Sequence, residues 1–599
     1  MAQNRLYVII VILILAGLVG GIVVALLAYM VLESSLSWPT EKFEYKGLAI
    51  ISDAQGCANV AHRIFTKGGT IVDAAIAALL CMGVTAPHLS GVGGGFMAVL
   101  YNKTADKLIA VDALGVVPAG MQINEFQKNW TLTQLGLQAA IIPGAVAGYK
   151  LLHERFGKLS WADLFTDAVA LADKGFVVGP RLAEAVKRNK KALSYDPNGR
   201  SAFINPGTAD IVVGGAQLRL PRIGTVLRRI AKEPKTLYSG SLGQELDAEL
   251  KRIFPGSNNH ITLNDLLHYR PRFIDALSAE LGDSKVLHTV PFPGSGAIVG
   301  AILERHKIPR AILQGKGLAP VPVMSDVSLH LLVENIKFAL AFRENLGDNG
   351  PAISDQDKLL SKIQKQFDTR VSSQHPLGSY EDYGGTYVQD EDFGGAHLSI
   401  RDAEGNAISV TAGLNHEFGC KYWTSSGILM NSYMGSFPDP RGQYGRQPSP
   451  NNVLAPGKQP LTSMIPSLIT NITGGKRQIH AVFGSSGGTA GISAMAQLFA
   501  CAAEFPLHSC VTSNVAVRPT LGKDGYLVQV GSPNLKFDPA SILLKMGHKV
   551  DKKSVFTASA TAIVTSARDS WIAPADKKHT DGASAGVHYV HPVIKNDRR

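Results

Sequence analysis

The chain has 599 residues, of which 45% are hydrophobic and only 18% charged, enough apolar material for a sizeable core and far from the composition of a disordered chain. Its formal net charge of +11 comes from scattered basic residues, in short groups such as Lys187-Arg-Asn-Lys-Lys191, without interleaved aromatics. That pattern reads as a solvated face, so nucleic acid is not an expected partner.

The first element in the chain is apolar. No charged residue occurs from Leu6 to Leu32, a stretch of about 27 residues against the roughly 20 that span a bilayer and the 7–15 of a signal-peptide core. A transmembrane signal-anchor over 6–32 is the expectation, with 1–5 as a cytoplasmic tail. Arg5 before the stretch and Glu33 after it orient the body outward, as in a single-pass type II protein of the plasma membrane. Gly17 and Gly21 form a pair that would let two such helices pack, the one sequence hint of a homodimer. Residues 33–46, with Pro39, read as a stalk.

The body begins near Gly47-Leu-Ala-Ile-Ile-Ser52, an apolar run expected as a buried strand. Helices are expected over Ala54–Phe65 and Ile71–Met82, then through much of Gly144–Lys190, over Ile223–Ala231, Gly243–Arg252 and Ser325–Asn345. Strands are expected near Ala276–Leu281 and Val286–Val290, densely from His397 to Ile469, and near Gln478–Phe483. The Gly91-Val-Gly-Gly-Gly95 loop lacks the Lys-Ser/Thr of a P-loop and the glycine spacing of a dinucleotide turn, so close chain packing is its expected role and no cofactor is implied. Asn102, Asn129 and Asn471 each open an Asn-x-Thr glycosylation sequon. The five cysteines show no metal-ligand spacing.

The most informative stretch is Asp392-Phe-Gly-Gly-Ala-His-Leu-Ser-Ile400, a polar turn from Asp402 to Asn406, and Ala407-Ile-Ser-Val-Thr411, which reads as a β-hairpin. It is followed by Asn415-His-Glu-Phe-Gly419, Ser426-Gly-Ile-Leu-Met-Asn431, Pro456-Gly-Lys-Gln-Pro-Leu-Thr-Ser-Met464 and Gly484-Ser-Ser-Gly-Gly-Thr489. In order and spacing these motifs, with Lys67–Ala78 and Ser90–Phe96 upstream, resemble the γ-glutamyltransferase (glutathione hydrolase) family, from about Gly47 to Tyr589. The resemblance implies an α/β fold, the four-layer αββα sandwich of N-terminal nucleophile hydrolases. It also implies a region 47–394 equivalent to the family's large subunit, a region 395–599 equivalent to its small subunit, and a disulfide between Cys57 and Cys81.

In that family the precursor cuts itself before a threonine in Gly-Thr-(Ala/Ser)-His, and the freed threonine attacks the γ-glutamyl carbonyl. Here the threonine position is Gly395, which has no hydroxyl. The family's second threonine is Gly413, its carboxylate-binding arginine is Leu114, and its ammonium-binding acidic pair is Tyr433 and Ser436. Positions that persist are Asn415, Thr462, Ser463, Gly487 and Gly488, the glycine pair being where the oxyanion hole would form. A structural role is the expectation for these five, and His397 is expected as a satisfied sheet histidine. The resulting expectation is a continuous, uncut, catalytically inactive ectodomain whose small-molecule or protein ligand is unknown. The alternatives are an active enzyme with a displaced nucleophile, for which Thr386 in Tyr383-Gly-Gly-Thr-Tyr387 is the candidate, and a non-catalytic subunit pairing with an active relative.

Overall fold

The computed structural model describes residues 44–588 apart from 55, 206, 258, 283, 306–325, 349–360, 363–364, 394, 503–509, 511–516, 532–537, 553–557, 566–569 and 575–582. The signal-anchor expected over 6–32 lies outside the described residues, among which no helix is long and apolar enough to cross a membrane. Residues 45–587 form one compact unit; the remainder, 1–44 and 588–599, is a second unit described only at Glu44 and His588.

Thirteen strands build one large sheet. They are β1 (Glu44–Ser52), β2 (Gly95–Asn102), β3 (Lys107–Ala113), β4 (Arg272–Ile274), β5 (Leu277–Gly282), β6 (Lys285–Thr289), β7 (Ala396–Asp402), β8 (Ala407–Gly413), β9 (Ser467–Thr473), β10 (Lys476–Ser486), β11 (Ser559–Thr565), β12 (Trp571–Ile572) and β13 (Ala583–His588). Their order is β4-β3-β2-β8-β7-β1-β12-β11-β10-β9-β6-β5, with β13 also on β1. The sandwich is therefore a single hydrogen-bonded path rather than two separate sheets. β1 starts at Glu44, inside the segment expected as stalk.

The path folds so that its halves face each other. Met97, Val99, Ala49 and Ile51 from one half meet Leu468, Ile479, Val482 and Ile563 from the other in a central apolar layer. Outside the first half, helices α1 (Cys57–Thr66) and α2 (Ile71–Thr85) cover Leu398, Ile400, Ile408 and Val410. Outside the second, α3 (Gly296–Arg305), α4 (Asp326–Arg343) and α5 (Thr489–Ala502) cover Ala481, Phe483, Ala560 and Ala562. The order helix, sheet, sheet, helix is the layering of an N-terminal nucleophile hydrolase. α2 is buried almost all round and starts with a capping box, Thr70 Oγ1 accepting from the Asp73 N–H while the Asp73 carboxylate accepts from the Thr70 N–H.

The hairpin forms where its alternation predicts, with β7 and β8 in register from Arg401↔Ala407 to Ala396↔Ala412. Apolar side chains point to α2, and His397, Ser399, Ser409 and Thr411 point between the layers. There Ser409 Oγ donates to the Phe483 carbonyl at 2.8 Å and accepts from the Ser467 N–H at 3.0 Å, tying the halves together. The strands expected throughout 414–466 are a correction: the segment is irregular, broken by 3-10 turns at Tyr433–Ser436 and Pro450–Asn452. Pro438, Pro440, Pro448, Pro450, Pro456 and Pro460 remove the donors a ladder requires.

Cys57 and Cys81 are bonded, joining α1 to α2, and a second bridge joins Cys501 to Cys510, a pairing the sequence leaves undetermined. Cys420 is free and buried. Of the sequon asparagines, Asn129 is exposed and caps the turn Trp130–Thr133, Asn102 ends β2, and Asn471 is half-buried within β9.

Candidate active site

The site lies where the hairpin, the 414–466 segment and the start of α5 converge. Gly395 is buried immediately before β7. A Cβ built on it would overlap the Ala412 carbonyl oxygen and crowd the Gly413 Cα. Gly395 thus has no side-chain hydroxyl, and its place is closed to any larger side chain by the partner strand's backbone. On the other side, Gly488 sits at φ +63°, where a Cβ would overlap the Asp392 carbonyl oxygen. The Gly487–Gly488 turn is packed against the chain that leads into Gly395.

Asp392 supplies the electrostatics. Its carboxylate is buried and accepts four hydrogen bonds: from the Ser463 N–H at 2.5 Å, the Ser463 hydroxyl at 2.6 Å, the Arg343 guanidinium at 3.2 Å and the Thr462 hydroxyl at 3.5 Å. Arg343, the last residue of α4, is only 2% exposed. Its Nε donates to Ser295 Oγ at 3.1 Å, and the Ser295 hydroxyl donates to the Thr462 carbonyl at 2.7 Å, so the donors brace one another. A charged pair so enclosed needs this number of partners to offset its desolvation.

Leu114 and Tyr433 belong to the central apolar layer with Ile141, Met434, Phe437 and Met464. Burial, with Asp392 nearby, raises the Tyr433 phenol well above its ordinary pKa. Asn431 fixes the turn that carries Tyr433: its amide accepts from the Ile141 and Tyr433 N–H groups and donates to the Gly93 and Ile141 carbonyls. Gly413 ends β8. The glycine loop does serve close packing, since a Cβ on Gly94 would overlap the Gly413 carbonyl oxygen.

Asn415 adopts left-handed backbone at φ +73° and donates to the Ser432 carbonyl at 2.9 Å. Its Oδ1, the Tyr433 hydroxyl and the Ser436 hydroxyl are buried with no protein partner. His397 bonds Thr411 Oγ1 at 3.0 Å and Ser399 Oγ at 2.9 Å, and burial lowers it to about 3, so it is the satisfied neutral sheet histidine expected. His416 is lowered to about 3 by burial and then by Lys421, and carries the half-exposed Phe393 ring at 4.7 Å. Thr386 is exposed, on the loop between the turn Glu381–Tyr383 and Val388.

The structure thus brings together Gly395, Gly413, Thr462, Ser463 and Gly488, and adds Arg343, Asp392 and Ser295, to which sequence reading gave no role. An arginine inside the otherwise apolar Phe338-Ala-Leu-Ala-Phe-Arg343 of α4 was the available signal. As it stands, the arrangement holds the Asp392 carboxylate through four donors, and Gly395 beside it offers no hydroxyl.

Comparison with known proteins identifies the family. The family model described as Gamma-glutamyltranspeptidase matches residues 57–586. Scoloptoxin SSD14 of Scolopendra dehaani is 31% identical over 492 residues, 79% of this chain and 81% of its own. Glutathione hydrolase 5 proenzyme of Rattus norvegicus is 31% identical over 504 residues, 81% of this chain and 83% of its own. Among solved structures, cephalosporin acylase from Bacillus halodurans superposes with a TM-score of 0.71 at 20% identity, covering 91% of this chain and 97% of that one, a likeness of fold. With its motifs in family order, its fold in family layers and its sequence matched from residue 57 to 586, the chain belongs to the γ-glutamyltranspeptidase family.

Proposed function

We propose that this chain is a non-catalytic member of its family, an uncut ectodomain held at the plasma membrane by residues 6–32. The observation that carries the reading is Gly395: it has no hydroxyl to attack either its own preceding peptide bond or a γ-glutamyl carbonyl, and the Ala412 carbonyl stands where a side chain would begin. The loss of the arginine to Leu114 and of the acidic pair to Tyr433 and Ser436 supports it, because an amino-acid zwitterion would find no charged partner at those three positions. Membrane attachment is supported by the uncharged stretch Leu6–Leu32 and by Arg5 on its inner flank. An external body fits the two disulfides and the exposed sequon at Asn129.

The test is the reduced, deglycosylated mass of the expressed chain together with turnover of a γ-glutamyl anilide. A single band near 63.8 kDa with no anilide release is expected. Two fragments summing to that mass, the second opening on Thr or Ser, would overturn the reading. Extraction from membranes by detergent but not by alkaline carbonate tests the anchor. Cross-linking in the same membranes tests whether the body pairs with its own copy or with an active relative.

A further inference from the structure

A carboxylate oxygen pair offers about four lone-pair directions, and at Asp392 four donors meet them. Ser463 Oγ and Arg343 Nη2 donate to Oδ1, and the Ser463 N–H and Thr462 Oγ1 donate to Oδ2. The donors come from α4 and from the loop before β9, and they hold their shape through Ser295, independently of the segment that carries the carboxylate. The neighbours of Asp392 point the other way: Glu391 and Phe393 line an open cleft of about 360 Å³ with Asp390, Asp439 and Arg441. Glu391 also borders a smaller space of about 110 Å³ that reaches Arg343. Between the partly exposed Glu391 and the exposed Phe393, the Asp392 side chain therefore turns inward into a prepared cradle.

We propose that Arg343, Thr462 and Ser463 form a carboxylate-binding site whose resident occupant is the chain's own Asp392, a tethered internal ligand that keeps the site closed to small external carboxylates. The proposal rests on the uncut reading above, since only a continuous chain holds Asp392 in place through Gly395 and β7. Tyr433, whose phenol is close enough to feel Asp392, has a buried hydroxyl with unspent hydrogen-bonding capacity, as do the Ser436 hydroxyl and Asn415 Oδ1. Intramolecular occupation has a concentration advantage over any free ligand, so Asp392 must be removed before the site can be filled from solution.

The experiment uses the full chain with acetate as the probe. Thermal unfolding of the wild type, Asp392→Ala and Asp392→Asn is followed as sodium acetate replaces sodium chloride at constant ionic strength. The alanine variant should unfold at a lower temperature and recover saturably with acetate, by about 2 °C at a tenfold excess over the dissociation constant. Wild type and Asp392→Asn, whose seats are filled, should not respond, and adding Ser463→Ala to the alanine variant should weaken the response at least tenfold. No acetate-specific recovery in Asp392→Ala, or an equal response in the wild type, overturns the proposal. If Asp392→Ala does not fold on expression, its refolding yield in acetate against chloride gives the same comparison, and a yield indifferent to acetate counts against the site. Two fragments on the gel would instead defeat the uncut reading, so the two failures are separately visible.

Discussion

Gly395 lies against the carbonyl oxygen of Ala412, one residue before the register pair Ala396↔Ala412 that opens the hairpin. The two strands are so close there that the hydrogen atom of glycine is the largest substituent the site admits. Restoring the family's threonine by Gly395→Thr must push β7 and β8 apart at their buried end. Overpacking of this kind costs about 1–3 kcal/mol, and Leu114, Tyr433 and Ser436 would remain uncharged. The variant is expected to be less stable by that amount in urea unfolding, to run as one band, and to leave a γ-glutamyl anilide intact. Full turnover from this single change would show that the recognition pocket had been misread.

The disulfides make a prediction about thiols. Four of the five cysteines are bridged and Cys420 is buried, with burial raising its thiol to about 12. A thiolate reagent should find no reactive group in the native protein and one in the unfolded, unreduced protein. Replacing Cys57 and Cys81 together by alanine should cost about 3 kcal/mol and replacing Cys501 and Cys510 less, because the first bridge closes 24 residues and the second 9. More than one thiol in the unfolded chain would contradict this pairing.

How legible the molecule was follows from the kind of signal each part carries. The hairpin and the helix opening on Pro221 were readable because a period of 2 or 3.6 is local to a dozen residues. The 414–466 segment was misread as strands because its apolar residues, such as Ile428, Met430, Met434 and Phe437, are buried by a loop that threads the core rather than by a ladder. That residue 395 carries no hydroxyl is read directly from the sequence. That Asp392 fills a cradle is not: Arg343, Asp392 and Ser463 are far apart in sequence, and no periodicity connects them.

Lys337 holds a second buried network. Its ammonium donates to Glu334 Oε1 at 2.9 Å, His548 Nδ1 at 2.9 Å and Tyr383 Oη at 3.2 Å. His330 Nε2 faces the Ser372 carbonyl, so His330 Nδ1 accepts from His548 Nε2 at 2.7 Å, and one assignment of protons satisfies the whole row. Lys337→Met should therefore cost about 3–5 kcal/mol by leaving Glu334 buried without a cation. Adding Glu334→Gln should recover part of that loss, a coupling a double-mutant cycle reads directly. Since Lys337 already supplies the positive charge beside His330, Glu334 and His548, a chelator is expected to leave the unfolding midpoint unchanged. Independent additive losses from the two substitutions would remove this network from the account of stability.

Acid should destabilise the fold, and the sign follows from which state binds protons. Burial, the leading cause in each case, lowers His88, His288 and His480 to about 4, His397 and His416 to about 3, and His548 to about 2. In the unfolded chain these rings titrate near about 6.5. Below that pH the unfolded state gains protons that the folded state refuses, so stability present above 6.5 is lost as pH falls toward the folded values. For His88 and His397, fully enclosed, the slope is at most about 1.4 kcal/mol per pH unit each. Burial acts oppositely on several carboxyls, raising Asp196, lifting Asp390 and Asp402 to about 6 and Glu344 to about 7. For the last three the contribution is complete below about 4 and is lost as pH rises through 6–7, so between pH 4 and 6.5 they offset part of the histidine term. The expected profile is a moderate fall in urea midpoint from pH 6.5 to 4. Below about 4, His397, His416 and His548 still resist protonation, and the carboxyls give no further offset. His288→Gln should flatten the upper part of that fall, its ring lying between Ser278 and Thr470 with no acid partner among its hydrogen bonds. A midpoint that rises on going from pH 6.5 to 5 would mean that the raised carboxyls, rather than the buried imidazoles, govern the response.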